Sequence, residues 1–218
     1  MTSYIHFNDG RLIGGVDESN RGGLIFNVVA GCVVLPIEFP DEQYLQIKDS
    51  KKLSRKKRRV LAEYIKQHAV TYGIGESTNE EIDSTNILSS TMKAMNRAID
   101  QAYKKCPFEE IKIDGPIFKG YIPPGEDNDI LPYECVIKGD SKYLNIAAAS
   151  ILAKDYHDET LLELVKKYTE LEKYDLKNNQ GYGTSKHIEA INCYGITKFH
   201  RKSFAPCKNK ILNNVETT

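Results

Sequence analysis

The chain has 218 residues, of which 40% are hydrophobic and 28% are charged, so it can bury a core of ordinary size. Its 30 Lys and Arg residues balance 30 Asp and Glu residues, which excludes an overall basic field but not a local basic patch. We find no signal-peptide pattern and no apolar stretch long enough to cross a bilayer, and the five cysteines lack metal-binding spacing. These features predict a cytoplasmic protein in a reducing compartment.

The first half of the chain combines three strand patterns with two amphipathic helices. Residues 11–17 and 26–35 are rich in aliphatic and β-branched side chains, and the short turn between them predicts a hairpin. Ser54 can cap a helix that reaches about residue 68, and Asn86 can cap another that reaches about residue 105. A third strand, 70–75, is predicted between the helices. The inner face of the first helix is expected to carry Val60, Leu61, Tyr64 and Ile65.

The second half contains two further strands, followed by helices and turns. Strands are predicted at 110–114 and 133–137, on either side of a loop with Pro and Gly. Helices are predicted at 144–158, 160–173 and 185–193, with a turn at 178–183 and a frayed tail from about residue 208. This order favours an α/β fold with a mixed five-stranded sheet flanked by helices and a helical C-terminal part, about 160–206. We expect a single domain over residues 1–218, with its core at about 11–206.

Four acidic residues end or closely follow predicted strands, namely Asp17, Glu18, Asp114 and Asp140. Acids at the ends of neighbouring strands can share one edge of an open α/β sheet, where functional sites form. Because adjacent strand residues point to opposite faces, Asp17 and Glu18 can share a site only if the chain bends in the turn at 19–23. Carboxylates without an obvious histidine partner fit Mg²⁺ or Mn²⁺, and such a set is typical of two-metal phosphodiester hydrolysis. The alternative is that Asp114 and Asp140 are ordinary turn residues.

A basic run covers residues 51–59, which include seven Lys or Arg residues. Such a run is usually a solvated helix face, so it does not indicate a nucleic-acid site without further evidence.

Several motifs in one order make the chain resemble the ribonuclease HII family, the type 2 ribonucleases H. Residues 15–22, Gly-Val-Asp-Glu-Ser-Asn-Arg-Gly, resemble the family's opening G-x-D-E-A-G-R-G motif, and residues 49–54 resemble its D-S-K-x-L segment. Residues 85–95 resemble its N-I-L-x-A-T-M-x-A-M helix. The other matches are Ile113-Asp114-Gly115, Lys138 to Ser141, Ala147 to Lys154, Gly181 to Thr184, and His200 to Phe204. The resemblance covers roughly residues 11 to 206.

This resemblance implies a ribonuclease H-like fold and an endoribonuclease that cuts the RNA strand of RNA–DNA hybrids. It also implies cleavage at ribonucleotides embedded in duplex DNA, leaving 3′-hydroxyl and 5′-phosphate ends. The implied ligands of the catalytic Mg²⁺ or Mn²⁺ ions are Asp17, Glu18, Asp114 and Asp140. The implied substrate-binding residues are Asn20, Arg21, Gly22, Lys51, Lys52, Lys142 and Tyr182. We expect a monomer with no membrane partner.

The resemblance also bears on the roles of four individual motif residues. Tyr182 matches the tyrosine that packs on the deoxyribose after the ribonucleotide. His200 and Arg201 could be structural or could face phosphate, and we favour the structural interpretation. Asp158 matches a family acid outside the quartet, and we interpret it as a helix-packing partner.

The turn after the first strand departs from the family pattern. Asn20 stands where the family has glycine, and Gly23 stands where proline is common. Asn tolerates a positive φ, so the turn can still form. We expect the Asn20 side chain to occupy space where the substrate backbone passes and Gly23 to loosen the turn. The preference for single ribonucleotides should then be weakened, and Asn20→Gly should restore it.

Two other functions stay open at this point. One is another metal-dependent nuclease or strand transferase of the same fold, such as a junction resolvase. The other is a non-catalytic hybrid-binding protein, against which four converging acids argue.

Overall fold

Five strands form the central sheet of the computed structural model, which describes residues 4–7, 10–125 and 129–213. The strands are β1 (Ile13–Ser19), β2 (Val28–Val34), β3 (Thr71–Ser77), β4 (Glu110–Asp114) and β5 (Tyr133–Val136). Their order is β3-β2-β1-β4-β5; β2 is antiparallel to both neighbours, whereas β1, β4 and β5 are parallel. The predicted hairpin and the mixed five-stranded sheet are confirmed. Val16 lies beside Ile113 in this register, so the next residues on the two strands, Asp17 and Asp114, become neighbours.

Two long helices cover opposite faces of the sheet. They are α3 (Ile87–Lys105) and α4 (Leu144–Lys167), and each packs into its own apolar cluster. Glycines let both helices approach closely: a Cβ at Gly15 would lie 2.2 Å from the carbonyl carbon of Asn145 on α4. A Cβ at Gly75 would lie 2.3 Å from the carbonyl oxygen of Ala94 on α3. The functional edge of the sheet is therefore held between two tightly seated helices.

The helix α1 (Arg55–His68) lies on the α4 side and begins at its predicted cap, Ser54. Asn86 likewise caps α3. The prediction for Val60 is wrong, because its surface is 53% exposed, whereas Leu61, Tyr64 and Ile65 are buried. Val60 lies about 100° around the helix from Leu61, outside the stripe that faces the core.

A short helix, α2 (Asn79–Ser84), lies between β3 and α3, where we predicted neither a strand nor a helix. Its signal was present in the sequence as Thr78 followed three residues later by Glu81, which form a reciprocal capping box. The Asp83 carboxylate of α2 accepts from the backbone N–H groups of Lys202 and Ser203, the two residues that follow Arg201.

The predicted break between two helices near residue 159 is wrong, because α4 continues to Lys167. No Gly or Pro interrupts it, and Leu161 and Val165 extend its buried stripe at helical spacing. A 3-10 turn at Thr169–Tyr174 and the short helix α5 (Leu176–Asn179) follow, the latter overlapping the start of the predicted turn.

The C-terminal part contains α6 (Ser185–Tyr194) and a parallel pair formed by β6 (Ile196–Thr197) and β7 (Leu212–Asn213). The prediction of a frayed tail is wrong for residues 208–213, because the Ile196 N–H donates to the Ile211 carbonyl at 2.8 Å. The rest of that prediction, residues 214–218, lies outside the described residues. Within the described ranges no helix is long and apolar enough to span a membrane.

Candidate metal centre and adjoining cleft

Three carboxylates converge at the edge of the sheet where β1 and β4 end. One oxygen from each of Asp17, Asp114 and Asp140 lies within 4.8 Å of an oxygen from the other two. Asp17 and Asp114 are brought together by the parallel register of β1 and β4. Asp140 comes from a 3-10 turn after β5, where Lys138 adopts a left-handed conformation with φ 56°. Oxygen ligands in this number and spacing can hold a hard divalent cation.

Backbone and side-chain donors fix two of these acids. The Gly139 N–H donates to Asp114 Oδ1 at 2.6 Å, which ties the Asp140 turn to β4. The Glu18 N–H donates to Asp17 Oδ1 at 2.7 Å, and the Ser150 hydroxyl of α4 also interacts with Asp17. The carboxylates are therefore held in place by the fold.

The electrostatics of the cluster favour a cation. Burial raises the pKa of Asp17 well above its usual range, and the Glu18 and Asp114 carboxylates raise it further. Burial also raises the pKa of Asp140, with an added contribution from Asp114 and an opposing one from Lys51. Because like charges at this distance destabilise one another, a divalent ion is the natural counter-charge, and the donor set fits such an ion.

Glu18 lies beside this cluster rather than within it. β1 remains a regular strand through Ser19, and the turn that follows it does not bring Glu18 into the group of three carboxylates. The Glu18 carboxylate instead accepts from the Arg21 guanidinium at 3.4 Å. Burial raises the Glu18 pKa, Arg21 opposes this, and Asp114 adds to it, so Glu18 remains close enough to interact with the cluster.

A cleft of about 170 Å³ adjoins the carboxylates. Its walls are the turn that follows β1, the segment around Ser50, one face of α4, and the loop before α6. The residues that line it are Glu18, Ser19, Asn20, Arg21, Gly22, Ser50, Lys51, Ser150, Lys154 and Tyr182. One acid, Glu18, and the cationic side chains of Arg21, Lys51 and Lys154 thus meet in one concave site beside the carboxylate cluster.

The comparisons with known proteins agree on one family. The family model described as "Ribonuclease HII" matches residues 14–207. Ribonuclease HII of Christiangramia forsetii is 43% identical over 198 residues, covering 91% of this chain and 92% of that protein. Ribonuclease HII of Neisseria meningitidis serogroup C is also 43% identical over 198 residues, covering 91% and 94%. The chain belongs to the ribonuclease HII family. It is therefore a hydrolase, an endoribonuclease that acts on RNA–DNA hybrids, and its acidic cluster fits a divalent-metal-dependent enzyme.

Solved structures show that the fold is shared. Ribonuclease H2 from Pyrococcus horikoshii OT3 has a TM-score of 0.69 at 21% identity, over 89% of this chain and 94% of that one. Bst-RNase HIII, whose structure was solved in complex with Mn²⁺, has a TM-score of 0.70 at 17% identity, over 92% and 69%. The ribonuclease H-like fold expected from the sequence is confirmed.

The structure places most of the predicted substrate residues around the metal centre. Arg21 is paired with Glu18, and Lys51 Nζ lies 3.8 Å from Asp140 with a side chain that is 82% exposed. Lys52 points instead toward Asp49 at 3.9 Å, and Lys142 is exposed on the turn after Asp140. Arg21, Lys51 and Lys142 are thus on the rim, where their charged ends can reach phosphates without filling the cleft.

Tyr182 forms one wall of the cleft. It is 38% exposed, and its ring lies 5.3 Å from Lys154 Nζ. Burial of the hydroxyl end raises the Tyr182 pKa, while the Asn20 backbone N–H opposes this change. A Cβ placed on Gly22 would lie 4.0 Å from the ring, so the turn and Tyr182 face each other across the cleft.

The prediction that the Asn20 side chain obstructs the substrate path is wrong. Asn20 is 1% exposed, and its amide donates inward to the carbonyls of Ile25 and Asn27 at 3.0 and 2.9 Å. Its φ of 63° is the left-handed conformation that the sequence predicted. Only its backbone can face substrate. The inference of weakened specificity therefore loses its premise.

Sequence reasoning missed Ser150 and Lys154 as cleft residues. Both lie on α4, four residues apart, and Asp158 follows on the same helix face. Lys154 Nζ pairs with Asp158 at 2.8 Å, and Asp158 also accepts from Arg58 of α1 at 2.6 Å. The i, i+4, i+8 spacing of Ser150, Lys154 and Asp158, which places them on one face of the helix, was the available signal. The packing role predicted for Asp158 agrees with its pairing to α1.

Proposed function

We propose that this protein hydrolyses phosphodiesters in the RNA strand of RNA–DNA hybrids and at ribonucleotides embedded in duplex DNA. The products have 3′-hydroxyl and 5′-phosphate ends. The observation that carries the proposal is the convergence of Asp17, Asp114 and Asp140 beside a cleft lined by Arg21 and Tyr182.

The metal ligands in this proposal are Asp17, Asp114 and Asp140, with Glu18 at the edge of the site. Carboxylate oxygens and the lack of histidine or cysteine in the cluster favour Mg²⁺ or Mn²⁺ over softer ions. When bound, such ions supply Lewis-acid activation of water and stabilisation of the leaving oxygen. The residues themselves hold the ions and keep the site at the sheet edge, where duplex substrates have access.

Substrate recognition is divided between the rim and the walls of the cleft. Lys51, Lys52, Lys142 and Arg21 offer positive charge to phosphates, which positions the duplex without reading its sequence. The Tyr182 ring packs on a sugar, and the backbone of the turn approaches the ribonucleotide. Discrimination of RNA from DNA at one position depends on the 2′-hydroxyl, so the turn on the ribonucleotide and Tyr182 on the following deoxyribose must act together at one junction.

The proposal further includes hybrid and ribonucleotide-containing duplex as the partners, a single domain, a monomeric state and a cytoplasmic location. The five cysteines are free thiols, which supports a reducing compartment.

Cleavage assays test the proposal directly. Wild-type protein is incubated with a long RNA–DNA hybrid, with duplex DNA carrying one ribonucleotide, and with plain duplex DNA, each in Mg²⁺, Mn²⁺ or EDTA. We expect cleavage of the first two substrates in at least one metal and none in EDTA. Asp114→Asn should abolish it, whereas the exposed-residue control Asp129→Asn should not. Cleavage in EDTA, or full activity of Asp114→Asn, would overturn the metal-site assignment.

A further inference from the structure

Arg201 is a fully buried cation that holds the turn facing the metal centre. It is 0% exposed, and its guanidinium donates only to backbone carbonyls among the described residues. Its four acceptors are the carbonyls of Asn20 at 2.8 Å, Arg21 at 3.0 Å, Gly23 at 2.8 Å and Phe26 at 3.0 Å. The planar fork of arginine thereby sets the direction of four peptide groups within seven residues.

These carbonyl directions determine where the N–H groups of the turn point. In a planar trans peptide the C=O and the following N–H point in opposite directions. The Asn20 and Arg21 carbonyls point at Arg201, so the N–H groups of Arg21 and Gly22 point away from it. Since Arg21 and Gly22 line the cleft, Arg201 presents the donor side of the turn to an anionic substrate.

The backbone of this turn is strained, so contacts with the surrounding structure must stabilise it. Asn20 and Phe26 both have positive φ, 63° and 71°, and for a bulky aromatic residue this conformation is unusual. Such backbone persists only where the surrounding contacts determine it. Arg201 binds the carbonyl of each of these two residues, and the Phe26 N–H donates to the Phe199 carbonyl at 2.9 Å.

His200 reaches the opposite wall of the cleft through a second histidine. The Thr197 N–H donates to His200 Nδ1 at 3.0 Å, so in the neutral ring the proton is on Nε2. His187 Nδ1 lies 3.0 Å from the Tyr182 carbonyl, an acceptor, so the His187 proton is on Nδ1. The two Nε2 atoms are 3.3 Å apart, and these tautomers make His200 the donor and His187 the acceptor. These three hydrogen bonds can therefore form together only when both imidazole rings are neutral.

The two walls meet at the backbone as well. The Leu24 N–H donates to the Gly181 carbonyl at 2.8 Å, and Gly23 and Tyr182 form an antiparallel bridge. Two consecutive side chains thus fix two walls that lie more than 150 residues apart in the sequence.

We propose that His200 and Arg201 form a positioning unit that sets the turn at 20–23 and the Tyr182 ring at the separation needed to recognise a lone ribonucleotide. Arg201 aligns the turn, and His200, acting through His187, holds the Tyr182 backbone. Neither residue touches substrate. This inference rests on the proposed function, because it assigns the two walls to recognition of one ribonucleotide and the sugar that follows it.

The His200 arm is tested with paired substitutions. His200→Leu removes both nitrogens, whereas His200→Gln retains an amide donor near the Nε2 position. We expect His200→Leu to lower the ratio of kcat/KM for a lone-ribonucleotide duplex to that for a long hybrid by about fivefold or more, the low end of an aromatic stacking contact. His200→Gln should stay within about twofold of wild type, since that difference is small against the same contact. The control Val165→Ala removes buried apolar volume from the cluster in which α4 packs against Tyr174 and α6, and it should leave the ratio unchanged.

A milder variant covers the case in which His200→Leu does not fold. His187→Asn keeps a donor for the Tyr182 carbonyl but breaks the link to His200, so the ratio should again fall. The role of Arg201 is tested with Arg201→Lys, which keeps the positive charge but loses the planar guanidinium that binds several carbonyls at once. We expect KM to rise for both substrates by about tenfold with a much smaller change in kcat, since a tenfold change corresponds to ~1.4 kcal/mol, about the net contribution of one or two hydrogen bonds.

The outcomes separate this inference from the proposed function. If wild type cleaves neither substrate in Mg²⁺ or Mn²⁺, the proposed function fails. If wild type cleaves both and the ratio is unchanged in His187→Asn, or changes equally in Val165→Ala, the His200 arm is overturned and its role is packing alone. If KM is unchanged in Arg201→Lys, alignment of the turn by Arg201 is overturned.

Discussion

Asn20 and Gly23 should behave as a coupled pair, and a double-mutant cycle can measure the coupling. A Cβ added at Gly23 would lie 1.8 Å from Asn20 Oδ1, which is far inside van der Waals contact. The Asn20 amide cannot easily move away, because it is 1% exposed and bonded to two carbonyls. Gly23 itself does not have a positive φ, so alanine is excluded there by the Asn20 side chain and not by the backbone. The sequence suggested two separate departures from the family, whereas the structure shows that the second accommodates the first.

The magnitudes follow from these contacts. Gly23→Ala in the wild-type background should cost about 1–3 kcal/mol of unfolding free energy, the usual cost of overpacking a rigid site. Asn20→Gly leaves two buried carbonyls without their donor and should cost about 1–3 kcal/mol, partly offset by relief of the positive φ. In the Asn20→Gly background the clash is absent, so Gly23→Ala should be neutral or stabilising by ~0.4–1 kcal/mol. The coupling energy is then about 2 kcal/mol, which is large for a pair of neighbours.

Urea denaturation of wild type, both single variants and the double variant gives the four free energies needed. The cleavage ratio of lone ribonucleotide to long hybrid is measured on the same samples. Because the Asn20 side chain points away from substrate, we expect Asn20→Gly to leave this ratio unchanged. Equal cost of Gly23→Ala in both backgrounds would refute the coupling, and a higher ratio in Asn20→Gly would show that the side chain does obstruct substrate.

Three further predictions follow. Asp17→Asn should lower kcat on the order of 10⁴-fold or more, which turnover assays with metal check. It should also raise the free energy of unfolding of the metal-free protein, measured by urea denaturation in EDTA, because it removes a carboxylate whose pKa is raised by burial and by its acidic neighbours. Tyr182→Ala should lower lone-ribonucleotide cleavage by a factor that corresponds to ~1–3 kcal/mol and long-hybrid cleavage by less, and equal losses would leave Tyr182 with a packing role alone. Burial lowers the pKa of His200 from 6.5 to about 3, helped by His187. Below pH 6.5 the unfolded chain therefore binds more protons than the folded chain, and the free energy of unfolding decreases as the pH decreases. His200 should account for a loss of about 2 kcal/mol by pH 5, which His200→Gln should remove in pH-dependent unfolding; an unchanged pH dependence in that variant would exclude it.

The strands and long helices could be predicted from the sequence because their signals are local. Ser54 and Asn86 cap their helices, and Asp114 ends its strand at the predicted residue. The convergence of Asp17 with Asp114 also follows from local patterns, since parallel neighbouring strands end at one edge. Asp140 needed more, because it lies on a left-handed turn after β5 whose direction the sequence does not specify.

The errors came from contacts between distant segments. Whether the Asn20 amide points in or out depends on the carbonyls of Ile25 and Asn27, which a turn pattern does not orient. The order in residues 208–213 depends on pairing with β6, two residues long, which is too short to show a period. The structural interpretation favoured for Arg201 agrees with its burial, but nothing in the sequence indicated which four carbonyls it binds.

The position of Glu18 explains how charge is arranged around the metal centre. Asp17 and Glu18 leave opposite faces of a regular strand, Asp17 toward Ser150 on the α4 side and Glu18 toward the Met92 side of α3. The group of three clustered carboxylates forms without Glu18. The cations follow the same division: Arg21 pairs with Glu18 and Lys51 with Asp140, both from the rim, and no salt bridge reaches Asp17 among the described residues. Asp17 is the most buried of the three carboxylates, and neither Asp17 nor Asp114 has a salt bridge among the described residues, so the centre of the cluster is where a divalent ion would relieve the most repulsion.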